Sequence, residues 1–183
     1  MIYDISLRTA GILAGLFLLA VSVPGIVLPA AVRTALVKFP RSRAAGIILL
    51  TIAFIWSFWL LVTMEMGEFS GFRRPLMIAL PIGYILVMRF VNEFLAVRAL
   101  GILLLLAGEP LLEAAFLRYE PSRLLVTVLA YIIIVKGLFW VTMPYLLRDY
   151  VAWASRSPAV WVSLNALTLL YGVAILAFAF TQY

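Results

Sequence analysis

Apolar residues in this chain follow neither the two-residue alternation of a half-buried strand nor the one-sided stripe of a surface helix. They form long, nearly unbroken runs separated by short polar interruptions. Six runs stand out, at roughly Leu7 to Leu28, Ala45 to Met64, Pro75 to Phe90, Phe94 to Phe116, Leu124 to Tyr145, and Pro158 to Phe180. A hydrocarbon layer ~30 Å thick is crossed by about 20 helical residues. The pattern therefore predicts an all-α integral membrane protein, a helical bundle of about six transmembrane helices forming one domain over residues 1–183. The third run is the shortest, about 16 residues against a usual minimum of about 17, and holds Pro81 and Gly83 near its middle. It fits a short kinked span or a re-entrant segment over residues 75–90; the second choice reduces the count to five.

The interruptions share a small vocabulary: Phe39-Pro40-Arg41-Ser42-Arg43, Phe72-Arg73-Arg74-Pro75, Glu120-Pro121-Ser122-Arg123 and Ser155-Arg156-Ser157-Pro158. Proline is tolerated in a first helical turn, where its missing N–H has no partner to lose, and the adjacent charge holds that end among the headgroups. Each motif thus predicts a helix start. The segment Ala31 to Phe39, with Arg33 and Lys38 among apolar residues, fits either a short amphipathic helix along the interface or an extension of the first span.

Composition removes any water-soluble domain: 66% of residues are hydrophobic and 12% charged, where soluble domains carry about 25% charge. The net charge of +6 does not imply a nucleic-acid partner, because the 14 Lys and Arg lie in ones and twos at the ends of apolar runs. There they set topology and meet lipid phosphates. The first loop carries Arg33, Lys38, Arg41 and Arg43, so we expect it on the cytoplasmic side. With six spans, Arg89, Arg98, Arg148 and Arg156 join it, against Arg8, Arg73, Arg74, Arg118 and Arg123 on the other side. Both termini then face away from the cytoplasm, in what we expect to be a bacterial cytoplasmic membrane. Met1 to Arg8 has Asp4 and a single basic residue, unlike the start of a secretory leader, and reads as the approach to an uncleaved first span, with Pro29-Ala30-Ala31 as the alternative cleavage sequence.

The chain has no cysteine and no histidine. Disulfides, thiolate nucleophiles and iron–sulfur ligation are excluded, as are imidazole ligands for haem, zinc or copper. No metal site and no cofactor is expected.

Ionisable residues at membrane depth are costly, and so they are the candidate functional groups. Lys136 lies about 18 Å from one end of its run and about 12 Å from the other, at 1.5 Å per residue, where a lysine costs roughly 2.5–3.5 kcal/mol. Glu109, on the preceding run, lies at a height within about 6 Å of it and is the expected intramembrane partner. Glu113 is one turn further along, or at the interface if Pro110 ends the helix. A second polar cluster combines Arg89 and Glu93, at i, i+4, with Asn92 and Arg98. Trp56 and Trp59 lie inside their run and are expected to pack on another helix, a pigment or lipid rather than to join an interfacial belt. Asn165 and Thr168 offer a polar stripe of the kind that holds membrane helices together. Arg8-Thr9-Ala10-Gly11-Ile12-Leu13 echoes Arg98-Ala99-Leu100-Gly101-Ile102-Leu103, which would relate the first and fourth spans as inverted repeats.

No phosphate-binding glycine loop, paired-aspartate motif or nucleophile elbow is present. Three readings follow. The leading one is a non-catalytic integral subunit or scaffold, whose partners are the lipid bilayer and other membrane subunits or further copies of itself. The second is a small transporter, channel or substrate-binding component using Lys136 and Glu109. The third is a lipid-modifying enzyme using Glu109, Glu113 and Arg98.

Overall fold

The computed structural model describes residues 3–91 and 93–182; Asn92 and Tyr183 lie outside the described residues. Six helical stretches are long and apolar enough to cross a membrane. They are α1 (Leu7–Val27), α3 (Arg43–Thr63), α4 (Arg73–Phe90), α5 (Leu95–Ala115), α6 (Arg123–Thr142) and α8 (Pro158–Thr181), with the shorter α2 (Pro29–Lys38) and α7 (Tyr145–Ser155) between them. The third run reaches spanning length because a 3-10 segment, Gly67–Phe72, leads directly into α4 and makes a stretch of 24 residues.

All four Pro/Arg interruptions start helices, at Arg43, Arg73, Arg123 and Pro158. At α3 the mechanism is visible: the Ser42 hydroxyl accepts the Ala45 amide at 3.2 Å, supplying one of the four amides a helix start leaves unpaired. Pro144 sets the opposite boundary. The residue before a proline is driven out of the helical region, so α6 stops at Thr142 and Tyr145 opens α7, an element with no counterpart among the six runs. Pro110, by contrast, is carried inside α5, which continues past Glu113 to Ala115.

The bundle is built on α5, which packs against α6 on one side and α3 on the other, with α4 packed chiefly on α3 and sharing a cluster with α5. The α1–α8 pair closes over the ends of α5 and α6, sharing a core of Leu7, Ala14, Ala115, Val126, Leu129 and Ile175. Glycines set the closest approaches. A Cβ on Gly101 would stand 2.8 Å from the Gly137 carbonyl oxygen, one on Gly137 2.8 Å from that of Gly101, and one on Gly15 3.0 Å from that of Gly172. The echo between residues 8–13 and 98–103 does not extend to packing: α5 pairs with the span that follows it, whereas α1 pairs with the last span and has at most marginal contact with α3.

One end of the bundle is basic and carries the two short helices. Leu36 of α2 and Leu147 and Val151 of α7 pack with Val97, Phe94 and Trp140. In α7, Leu147, Val151 and Ala154 recur at i, i+4, i+7 and are buried, while Tyr150 and Trp153 stay exposed, the geometry of a helix lying along an interface. The α4–α5 turn places Phe94 in the left-handed region, φ 55°, a strained conformation for a bulky side chain that is retained with its ring against this same cluster.

Proline chemistry also explains the tie between α1 and α8. The carbonyl of Gly25 would accept the amide of residue 29, but residue 29 is Pro29 and has no N–H. The buried Trp161 indole donates to that carbonyl at 2.7 Å, and the Arg33 guanidinium stacks over the indole, 4.9 Å from its ring centre. A Cβ on Gly25 would force the Asn165 side chain to move. Trp161→Phe should therefore lower stability in detergent by about 1–3 kcal/mol, the cost of an unsatisfied buried acceptor, read as a drop in the thermal midpoint. An unchanged midpoint would show that the Gly25 carbonyl finds another donor.

The six-span path also makes a topological prediction that the absence of native cysteine makes easy to read. Single cysteines at Lys38 and Gln182 should label from opposite sides of the membrane. Labelling from one side would remove one crossing, and α4 would be the segment to reassign.

Candidate functional site

The structure does not bring Lys136 and Glu109 together. Among the described residues the ion pair formed is Arg148 with Asp149 at 2.9 Å, on the exposed side of α7. The heights match as expected, since Gly108 packs on Ile134 and Gly101 on Gly137 and Val141. What separates the pair is rotation. Each residue is the chain neighbour of a contact glycine, Glu109 after Gly108 and Lys136 before Gly137, and one residue turns a helix by about 100°. The glycines occupy the α5–α6 seam, and both ionisable side chains are exposed on the flanks.

A different set of partners forms at the end of the bundle opposite the short helices. Tyr3, ahead of α1, lies across α3 and α5. Its backbone amide donates to Glu113 Oε2 at 3.3 Å, and its hydroxyl accepts the Trp56 indole N–H at 2.7 Å. Its ring meets Trp56 edge-on at 6.5 Å and lies 5.5 Å from Trp59. Burial raises the Tyr3 pKa above its ordinary value; the Trp56 N–H pulls it down, and the negative charges of Glu109 and Glu113 push it up again. Beside this strap a cavity of about 310 Å³ is lined by Asp4, Ser6, Glu113 and Arg118, among others.

The second cluster is dispersed for a local reason. Arg89 and Glu93 share a face only if one helix carries both, but α4 ends at Phe90 and Glu93 falls in the turn before α5. Both are exposed. Arg98 is half-buried in the first turn of α5, its Nε enclosed and without a hydrogen-bond partner. The stripe expected on α8 bonds to its own helix: Asn165 donates to the Trp161 carbonyl at 2.8 Å and Thr168 to the Leu164 carbonyl at 2.9 Å. The polar ties of α8 to other helices come instead from Trp161 and from the Tyr171 hydroxyl, which donates to the Leu125 carbonyl at 2.7 Å.

Sequence reasoning missed the Tyr3 strap. The pairs Trp56/Trp59 and Glu109/Glu113 sit at helical spacings and were visible, but nothing in the chain connects them to a tyrosine ahead of the first span. Comparison with protein-family models, with curated proteins and with solved structures finds no match.

Removing the Tyr3 hydroxyl leaves the Trp56 indole without its acceptor, so Tyr3→Phe should cost about 1–3 kcal/mol near neutral pH. The hydroxyl is held neutral in the folded state. Its stabilising contribution is complete below the unfolded-state value of about 10 and is lost as pH rises through the higher folded-state value. The parent should therefore lose its advantage over Tyr3→Phe in thermal melts above about pH 10. A gap that stays constant across that range would show that the hydroxyl does not titrate differently on folding.

Proposed function

We propose that this chain is a non-catalytic integral subunit of a membrane assembly, joined to its partner through the exposed flank of α6. The observation that carries the reading is Lys136, exposed on that flank about 10 Å from the helix end at 1.5 Å per residue. A lysine facing hydrocarbon there costs roughly 2.5–3.5 kcal/mol, and no carboxylate among the described residues pairs with it. A carboxylate or a polar cavity supplied by another chain removes that cost. The periphery supports the same reading elsewhere, since α4 has no buried residue and packs mainly on α3. The transporter reading drew in part on Lys136 meeting Glu109 inside the bundle, and among the described residues the two form no ion pair. The basic end, with eight Lys and Arg against five at the other, would face the cytoplasm under the positive-inside rule, with both termini on the far side.

Purification in mild detergent from native membranes, followed by native mass measurement, tests the assignment. The parent should carry a second membrane polypeptide or a further copy of itself. Lys136→Leu should lose that partner at least tenfold while keeping its helical content and thermal midpoint. A parent that runs as a lone chain, or a Lys136→Leu variant that keeps its partner in full, would overturn the reading.

A further inference from the structure

The face α4 turns toward the bundle is only partly filled. Leu76, Leu80, Gly83 and Val87 recur along one side of α4 at i, i+4, i+7, i+11, and with the facing walls of α3 and α5 they bound a groove of about 520 Å³. Gly83 differs from the glycines at the helix crossings, because a Cβ built on it meets nothing within 4 Å. Its missing side chain does not let two backbones approach; it leaves the groove open.

The groove runs along α3 from Leu50 to Met64, about 21 Å of helix. The lining is almost wholly apolar, with Tyr84 among its few polar groups, and the Tyr84 hydroxyl is committed to Thr51 at 2.8 Å.

At the Met64 end the chemistry changes. Arg73 lies three residues before Leu76 on the same face of α4 and donates to the Met64 carbonyl, while its Nε is enclosed and has no hydrogen-bond partner. Arg74 beside it is exposed. The nearby acids, Glu65 and Glu68, form no ion pair with either arginine among the described residues.

We propose that this groove binds one anionic phospholipid, with an acyl chain along the Leu76–Gly83 face and its phosphate at Arg73 and Arg74. The long apolar lining suits a hydrocarbon chain, and the two arginines at one end, neither in an ion pair among the described residues, suit a negatively charged headgroup. The inference does not depend on the subunit assignment.

Native mass spectrometry of the delipidated protein, titrated with dioleoylphosphatidylglycerol or dioleoylphosphatidylcholine, provides the test. The parent should retain a single phosphatidylglycerol at least tenfold better than phosphatidylcholine. Gly83→Leu, which fills open space, should weaken that retention at least tenfold at unchanged circular dichroism, and Arg73→Gln with Arg74→Gln should equalise the two lipids. If Gly83→Leu does not fold, Ser57→Leu on the opposite wall is read in the same way. Equal retention of both lipids by the parent, retention untouched by filling the groove, or a lipid-free dimer broken by Gly83→Leu would each overturn the proposal; the last would assign the groove to a second copy of the chain.

Discussion

In hydrocarbon, two apolar helices gain nothing from covering each other that lipid would not give them, so a bundle holds only where backbones come close enough for dense packing and where polar groups find each other. This chain meets that constraint at a few points. Gly15 against Gly172 joins α1 to α8, and Gly101 against Gly137, extended by Gly108 under Ile134, joins α5 to α6. Everything else is arranged around those seams. They set the rotation of α5 and α6, and through that rotation they turn Lys136 and Glu109 outward. A salt bridge inside the bundle would have required the glycines to give up their positions.

The same seams separate what the sequence could reveal from what it could not. The runs, their starts at the Pro/Arg motifs and their matching heights were legible, because length and hydropathy are one-dimensional and proline acts on its own neighbours. The amphipathic choice for residues 31–39 was open and falls to a separate helix, α2. Rotation about the helix axis was not legible. In a chain this uniformly apolar no polar face marks which side of a span is inward, so pairing by height placed Lys136 and Glu109 at the right level and on the wrong sides. α7 escaped notice for a related reason: its stripe of Leu147, Val151 and Ala154 is short and lies between two stronger runs.

Backbone accounting proved more informative than side-chain charge. Pro29 leaves the Gly25 carbonyl without its helical donor, and a tryptophan 136 residues away supplies one. In water such a carbonyl would simply be hydrated. Within the membrane it has to be paired by protein, so a local irregularity at the end of α1 becomes a specific attachment point for α8. The Arg33 stack then links that joint to the basic end of the bundle.

The pairing of α1 with α8 also bears on the order of assembly. Synthesis delivers α1 before α3 to α7, yet its main neighbour is α8, made after them, and the tyrosine ahead of it docks on α3 and α5. Until α8 is made, the seam glycine of α1 at position 15 has no Gly172 to pack against. The fold closes like a clasp, with α1 and α8 meeting only once α3 to α6 are in place, so a chain cut short before α8 would leave α1 without its main partner.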